Sequence, residues 1–123
     1  MATSAIPESG KTFISANFSS CLASLEGNRV LLIDADIRKA SLSDALASYM
    51  TQRSKGGLSS YLLGSSTDLS DLIVRIDASS PFDFLPAGVV PPNPTELLLG
   101  DRFAELIEKV REMYDYILIV FPL

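Results

Sequence analysis

The 123-residue sequence contains no histidine and a single cysteine. Without histidine, catalytic groups must come from carboxylates, lysine, arginine or hydroxyls, and histidine-based catalytic triads are excluded. One cysteine cannot form an internal disulfide framework, and such sparing use is typical of proteins from the reducing cytoplasm. We expect Cys21 to be a small buried group on a helix and not a catalytic thiol.

Basic residues and long apolar runs are also scarce. The net charge of −5, with no basic stripe, argues against a nucleic-acid partner. The longest apolar run, residues 117–123, is far shorter than the roughly 20 residues of a membrane-spanning helix, so no direct membrane span is expected. With 47% hydrophobic and 20% charged residues, the composition is that of one ordinary globular domain over residues 1–123.

Apolar runs and helical periodicities alternate along the chain. The runs at residues 30–33 and 117–121 predict strands buried on both faces, and a further strand is predicted near residues 82–85. A helix is predicted over residues 10–26, with a broad apolar face that consists of Phe13, Ala16, Phe18, Cys21, Leu22 and Leu25. Strands that alternate with helices indicate an α/β fold with a mostly parallel sheet and helices on both faces. Further helices are predicted at residues 41–48, 58–63, 67–73 and 101–113, and from residue 95.

The segment AIPESGKT, residues 5–12, has the spacing of a phosphate-binding loop. It opens the first predicted helix, where backbone N–H groups and the positive end of the helix dipole would face an anion. Lys11 would reach the terminal phosphates of a nucleotide, and the Thr12 hydroxyl would hold Mg²⁺. The alternative interpretation is a capped helix start with a solvated lysine. The predicted nucleotide-binding residues are Ala5, Pro7, Glu8, Ser9, Gly10, Lys11, Thr12 and Phe13.

Two features of this segment are unusual for a phosphate loop. Such a loop connects a strand to a helix, but only residues 1–4 precede this one, and they could barely form a short strand. Glu8 also places a side chain and a negative charge where close approach of the backbone to phosphates favours glycine.

An acidic pair, Asp34 and Asp36, follows the apolar run at residues 30–33. Ligands of open α/β sheets bind at the carboxyl ends of the strands, and alternation along the strand sends both side chains to the same face. Two carboxylates beside a phosphate loop suit Mg²⁺ coordination and acceptance of a proton from an attacking hydroxyl. Arg38 could pair with these acids or with phosphate. The alternative is that the acids cap the helix that follows.

Four stretches of the chain together resemble a known family: TSAIPESGKTFISAN, VLLIDADIRKASL, FLPAGVVPPNPTELL and RFAELIEKVREMYDYILI. They resemble the bacterial tyrosine kinases, the P-loop autokinases of capsule and exopolysaccharide synthesis, which are related to the MinD and ParA ATPases. The resemblance covers nearly the whole chain in order, and the PPNPTELL run at residues 91–98 is its most specific part.

This resemblance implies ATP-dependent phosphorylation of tyrosine. It places Lys11 and Thr12 on phosphate and Mg²⁺, and Asp34 and Asp36 on Mg²⁺ and on activation of the tyrosine hydroxyl, with Arg38 in the same motif. Lys11, Asp34 and Arg38 are then the expected catalytic residues, with Thr12, Asp34 and Asp36 as metal ligands. The expected partners are ATP or ADP, a membrane polysaccharide co-polymerase or activator subunit, and further copies of the chain.

The chain also departs from the family. Glu8 stands where the family usually has glycine, Ala40 where it has proline, and Val120 where it has a metal-site aspartate. We expect an incomplete domain that lacks the family's first strand, its C-terminal part and its tyrosine-rich tail. Tyr114 and Tyr116 are expected to flank a strand and not to accept phosphate.

Three functions are therefore considered. The first is the ATP-binding domain of a tyrosine autokinase, weak or inactive as this chain. The second is a non-catalytic interaction module for a polysaccharide co-polymerase or a sister subunit, which Val120 and Glu8 favour. The third, a MinD- or ParA-like ATPase, is disfavoured by the acidic charge and by the absence of an early lysine in the loop.

Overall fold

The structure of the protein, a computed structural model, describes residues 2–6, 11–25, 27–38, 41–77 and 81–121. At residues 2–6, 11–15 and 41 it describes the backbone alone.

One mixed sheet of five strands forms the centre of the described chain, in the order β1-β5-β2-β4-β3. The pairs β1–β5, β5–β2 and β2–β4 are parallel, and β3 alone runs antiparallel to its neighbour β4. The prediction of a mostly parallel α/β sheet is thus confirmed. The strands are β1 (Ala2–Ile6), β2 (Val30–Asp34), β3 (Val74–Ile76), β4 (Phe82–Leu85) and β5 (Tyr116–Val120).

Helices cover both faces of the sheet, as predicted. They are α1 (Lys11–Ser24), α2 (Ser41–Leu46), α3 (Gly57–Leu63), α4 (Leu69–Leu72), α5 (Pro94–Leu98) and α6 (Asp101–Arg111), and a short 3-10 helix (Ala47–Tyr49) follows α2. Successive residues of β2 point to opposite faces, so Leu31 and Ile33 pack in the core beneath α3 and α6, while Val30 and Leu32 pack in the core beneath α1 and α2. Residues 30–33 of β2 are therefore all apolar, because both faces of the strand are buried.

The expectation that residues 1–4 could barely form a strand is wrong. Residues Ala2–Ile6 form β1, which pairs with β5 over its full length in the register Ala2↔Tyr116 to Ile6↔Val120. Pairing with the apolar strand β5 accounts for this strand, although alanine, threonine and serine dominate its sequence.

Helix α1 has the predicted position, but only part of its predicted apolar face is buried. Phe18 is 44% exposed, Leu25 is 56% exposed, and Cys21 is exposed as well. Two predicted members of the face, Ala16 and Leu22, pack against the core. Ala23 packs beside them and Ser19 is fully buried, although the apolar pattern indicates neither. Small side chains allow the helix to approach the sheet closely. The expectation of a buried Cys21 is wrong, because this residue is exposed.

Tyr114 and Tyr116 flank the start of β5, as predicted. The Tyr114 hydroxyl donates a hydrogen bond to Asp83 Oδ2 at 2.5 Å, and Asp83 Oδ1 accepts the Arg75 guanidinium at 2.9 Å. Burial, and then the hydrogen bond to Asp83, raise the pKa of the Tyr114 hydroxyl above its ordinary value. These residues lie at the amino ends of β4 and β5, away from the predicted nucleotide site.

None of the helices in the described part of the chain combines the length and the apolar character that a membrane crossing requires.

Candidate functional site

The carboxyl ends of three strands lie level with one another at one edge of the sheet. Ile6 of β1 pairs with Val120 of β5, and Val120 pairs with Asp34 of β2. Two strand spacings separate Ile6 from Asp34, a backbone distance of about 10 Å. Ligands of open α/β sheets bind at such an edge.

The predicted phosphate loop connects β1 to α1 at this edge. Ala5 lies in β1 opposite Ile119, and Lys11, Thr12 and Phe13 are the first residues of α1, with their side chains outside the described residues. Pro7, Glu8, Ser9 and Gly10 lie outside the described residues altogether. The strand–loop–helix order that a phosphate loop requires is present, while the contacts of these residues stay a prediction.

Asp34 is the last residue of β2 and is fully buried. Its Oδ2 accepts hydrogen bonds from the Ser43 hydroxyl at 2.7 Å and from the Ser43 backbone N–H at 3.1 Å. Its Oδ1 accepts the Asp36 backbone N–H at 3.1 Å. All three groups donate, which matches an ionised carboxylate because that group only accepts.

The helix-capping interpretation is thus partly correct. Ser43 lies in the first turn of α2, and its N–H is one of the backbone donors that have no partner within the helix. Asp34 satisfies this donor from the end of the preceding strand. A capping role and a ligand-binding role are compatible, because a carboxylate has more acceptor positions than one backbone bond uses.

Asp36 and Arg38 complete the motif. Asp36 is fully buried two residues beyond the strand, and its Oδ1 lies 3.6 Å from Nε of Arg38, whose side chain is 40% exposed. Of the two predicted partners of Arg38, the acids or phosphate, the structure shows one acid, Asp36, while a contact with phosphate stays a prediction. Because this guanidinium is partly exposed, it is accessible from solvent at the edge where Asp34 and Asp36 lie.

Val120 occupies the position where the resemblance implies an aspartate. It is fully buried and packs in the core beneath α1 and α2. Since paired residues of a parallel sheet project to the same face, its side chain lies beside that of Asp34. An aliphatic side chain offers no oxygen to a metal ion or to its bound water. No group of three or more histidine, cysteine, aspartate or glutamate side chains suited to a metal ion is found among the described residues.

The segment after β4 borders the same site, and sequence reasoning missed its contacts. Ala87 N–H donates to the Ser43 hydroxyl at 2.9 Å, so one serine joins this segment to Asp34. The carbonyls of Pro86 and Ala87 accept the N–H groups of Leu58 and Ser59 at 2.7 and 2.9 Å, in the first turn of α3. The sequence signals for this contact are glycines at the crossing, Gly57 and Gly88, both with positive φ.

The chain resembles known proteins in sequence along nearly its whole length. A family model described as AAA domain matches residues 8–122. The chain is 39% identical over 122 residues to the tyrosine-protein kinase wzc of Salmonella typhimurium, an alignment that covers 99% of the chain and 16% of that relative. The chain thus spans about a sixth of the length of the curated relative.

Solved structures show the same fold. The kinase domain of the Escherichia coli tyrosine kinase ETK superposes with a TM-score of 0.84 at 33% identity, over 98% of the chain and 46% of that structure. The septum site-determining protein MinD of Pyrococcus horikoshii, solved with Mg-ADP, superposes with a TM-score of 0.70 at 28% identity, over 95% of the chain and 48% of that structure. The P-loop fold class is therefore confirmed.

The predicted relationship is confirmed as well: the chain belongs to the AAA domain family, and its sequence and fold match those of bacterial tyrosine kinase domains over the part of them that it spans.

Proposed function

We propose that the chain is the nucleotide-binding part of a bacterial protein-tyrosine kinase of capsule or exopolysaccharide synthesis, and that it binds ATP together with Mg²⁺. The observation that carries this proposal is the pair of buried carboxylates, Asp34 and Asp36, at the same sheet edge as the β1–α1 connection. Mg²⁺ binds through one or two carboxylates together with phosphate oxygens, and this pair fits such an ion.

The roles of the residues follow from their positions. Lys11 and Thr12, in the first turn of α1, contact the phosphates and the metal, with Ala5, Pro7, Glu8, Ser9, Gly10 and Phe13 completing the loop. Asp34 accepts the proton of the attacking hydroxyl, and Asp36 holds the Arg38 guanidinium towards the site. Bound Mg²⁺ would neutralise charge on the transferred phosphoryl group.

The catalytic competence of this chain is expected to be low. Phosphoryl transfer depends on positioning and charge stabilisation, and Val120 removes one oxygen ligand from the site. We propose nucleotide binding with little or no tyrosine phosphorylation by this chain. We further propose that it is part of a larger kinase domain, that it associates with a membrane polysaccharide co-polymerase or activator subunit or with other copies, and that it acts in the cytoplasm at the inner face of the membrane.

Thermal melts with and without Mg-ATP test nucleotide binding. A ligand present at about 100 times its dissociation constant stabilises the folded state by about 2.7 kcal/mol. For a domain of this size, the melting temperature then rises by on the order of 10 °C. Lys11→Ala should abolish the rise. The matched control is Lys109→Ala, which removes the same charge from α6 on the other face of the sheet. A wild-type melt that is indifferent to Mg-ATP would overturn the proposal.

A second candidate is a non-catalytic interaction module, and buried Val120 favours it. Association with a partner that is unchanged by nucleotide, together with a melt indifferent to Mg-ATP, would support this function. The MinD-like ATPase is a third candidate, consistent with the MinD superposition. ATP hydrolysis without phosphotyrosine, lost in Lys11→Ala, would support it.

A further inference from the structure

We propose that Ser43 is a positioning residue that fixes the Asp34 carboxylate for Mg-nucleotide binding and couples it to the segment after β4. This inference rests on the proposed nucleotide site. Ser43 lies in the first turn of α2, nine residues after Asp34, and is half-buried.

The hydrogen bonds fix the orientation of the carboxylate. Oδ2 of Asp34 accepts both the hydroxyl and the backbone N–H of Ser43, and Oδ1 accepts the Asp36 N–H. Donors on both oxygens prevent the carboxylate from rotating about its Cβ–Cγ bond. A fully buried carboxylate depends on such donors, because it has little contact with water.

The direction of the Ser43 hydroxyl bond is determined as well. The Ser43 oxygen accepts the Ala87 N–H at 2.9 Å, and an ionised carboxylate can only accept. The single hydroxyl proton therefore lies between Ser43 and Asp34 Oδ2, at an oxygen–oxygen distance of 2.7 Å. This bond is of the charge-assisted kind, which is stronger than a bond between neutral groups.

Through Ala87 the same serine reaches a second element. The Ala87 carbonyl accepts the Ser59 N–H at 2.9 Å, and the Pro86 carbonyl accepts the Leu58 N–H at 2.7 Å. A continuous path of hydrogen bonds thus runs from Asp34 through Ser43 and Ala87 to the first turn of α3. The orientation of Asp34 consequently depends on where the segment after β4 lies.

The experiment uses calorimetry on the full chain to measure the Mg²⁺-dependent gain in ADP affinity. This gain is the dissociation constant of ADP in EDTA divided by the dissociation constant in excess Mg²⁺. Ser43→Ala should reduce this ratio about 10-fold or more, as is typical when a group that orients a metal ligand is removed. Affinity for metal-free ADP should change less than about 2-fold, since Ser43 acts through Asp34. Ser43→Thr keeps the hydroxyl and should restore most of the ratio.

Ser54→Ala is the matched control. The Ser54 hydroxyl is also half-buried, donates to the Leu72 carbonyl at 2.6 Å and accepts the Gly57 N–H at 3.0 Å, but it does not contact Asp34. A merely structural role for Ser43 predicts that both alanine variants lose stability and keep the Mg²⁺-dependent ratio. If Ser43→Ala does not fold, Ser43→Cys keeps the shape with a weak S–H donor and should show a smaller loss in the same direction.

The outcomes separate the two proposals. If the wild-type chain binds ADP with an Mg²⁺-dependent gain in affinity and Ser43→Ala retains that gain, the proposed role of Ser43 is overturned and the proposed function stands. Wild-type chain that binds no ADP in either condition overturns the proposed function and the role of Ser43 with it.

Discussion

Gly88→Ala should destabilise the fold much more than Gly27→Ala, although both glycines lie in the left-handed region. Gly88 has φ +85°, and a Cβ there would stand 2.1 Å from the Gly56 carbonyl oxygen and 2.6 Å from the Ser59 hydroxyl. Gly27 has φ +70°, and a Cβ there would meet nothing within 4 Å. Gly27→Ala therefore adds backbone strain alone, which costs about 1–2 kcal/mol.

The additional cost at Gly88 follows from the distances. A carbon atom approaches a carbonyl oxygen to about 3.3 Å, so the backbone must separate by more than about 1 Å. This movement breaks the bonds from Leu58 N to Pro86 O and from Ser59 N to Ala87 O, which are 2.7 and 2.9 Å long. At about 0.5–1.5 kcal/mol for each bond, the two lost bonds add about 1–3 kcal/mol, so the total for Gly88→Ala is about 2–5 kcal/mol.

Urea unfolding followed by circular dichroism measures both variants. The expected difference between Gly88→Ala and Gly27→Ala is about 2 kcal/mol in the free energy of unfolding, and loss of a cooperative transition for Gly88→Ala alone would agree with it. Equal destabilisation by the two substitutions would show that α3 and the segment after β4 do not approach as closely as described. The reasoning would then be refuted.

Three further perturbations test other parts of the molecule. Tyr114→Phe removes the hydroxyl that donates to Asp83 and should cost about 1–2 kcal/mol at neutral pH. The folded state raises the pKa of Tyr114 above the ordinary 10.0. The contribution of the hydroxyl to stability is therefore complete below pH 10.0 and is lost as the pH rises beyond it. If wild type stays more stable than Tyr114→Phe by the same amount at alkaline pH in urea unfolding, the hydrogen bond between Tyr114 and Asp83 is contradicted. Val120→Asp places a second buried carboxylate beside Asp34 and should lower the free energy of unfolding in EDTA by about 3–5 kcal/mol. Mg²⁺ should raise the melting temperature of this variant more than that of wild type. An unchanged melting temperature in EDTA would count against the register of β2 and β5. Exposed Cys21 should react with a thiol reagent at a similar rate in native and urea-unfolded protein, and strong protection in the native state would contradict its exposure.

The parts of the fold that the sequence predicts are those with local causes. Residues 30–33 of β2 and residues 117–120 of β5 are continuous apolar runs because both faces of these strands are buried there. Helix α6 shows its buried face as Phe103, Leu106 and Val110 at helical spacing. The sequence does not predict the strand β3, because the chain leaves the short helix α4 at Leu72 and only pairing with β4 makes residues 74–76 a strand. For α1 the apolar pattern predicts the packing of Ala16 and Leu22, but it does not indicate Ser19 and Ala23, which are small enough to pack closely on the sheet.

The candidate site likewise has one part that the sequence predicts and one part that it does not. The acidic pair follows from its position after an apolar run, and the structure places both carboxylates at the carboxyl end of β2. The contacts of Ser43 do not follow from the sequence, since Ala87 is 44 residues away and the two meet only because β4 lies beside β2. For the same reason, a glycine pattern alone does not show that the first turn of α3 crosses the segment after β4.

The position of β1 has a consequence for amide hydrogen exchange. Within the described strands β1 pairs only with β5, so half of its backbone groups have no neighbouring strand, while β5 and β2 are paired on both sides. Opening β1 would leave the other four strands paired, so its amides should exchange at a lower free energy than those of β2. If nucleotide is held by the connection between β1 and α1, its binding energy should slow exchange first in β1 and in the first turn of α1. Protection spreading from this edge strand would locate the ligand without a single mutation.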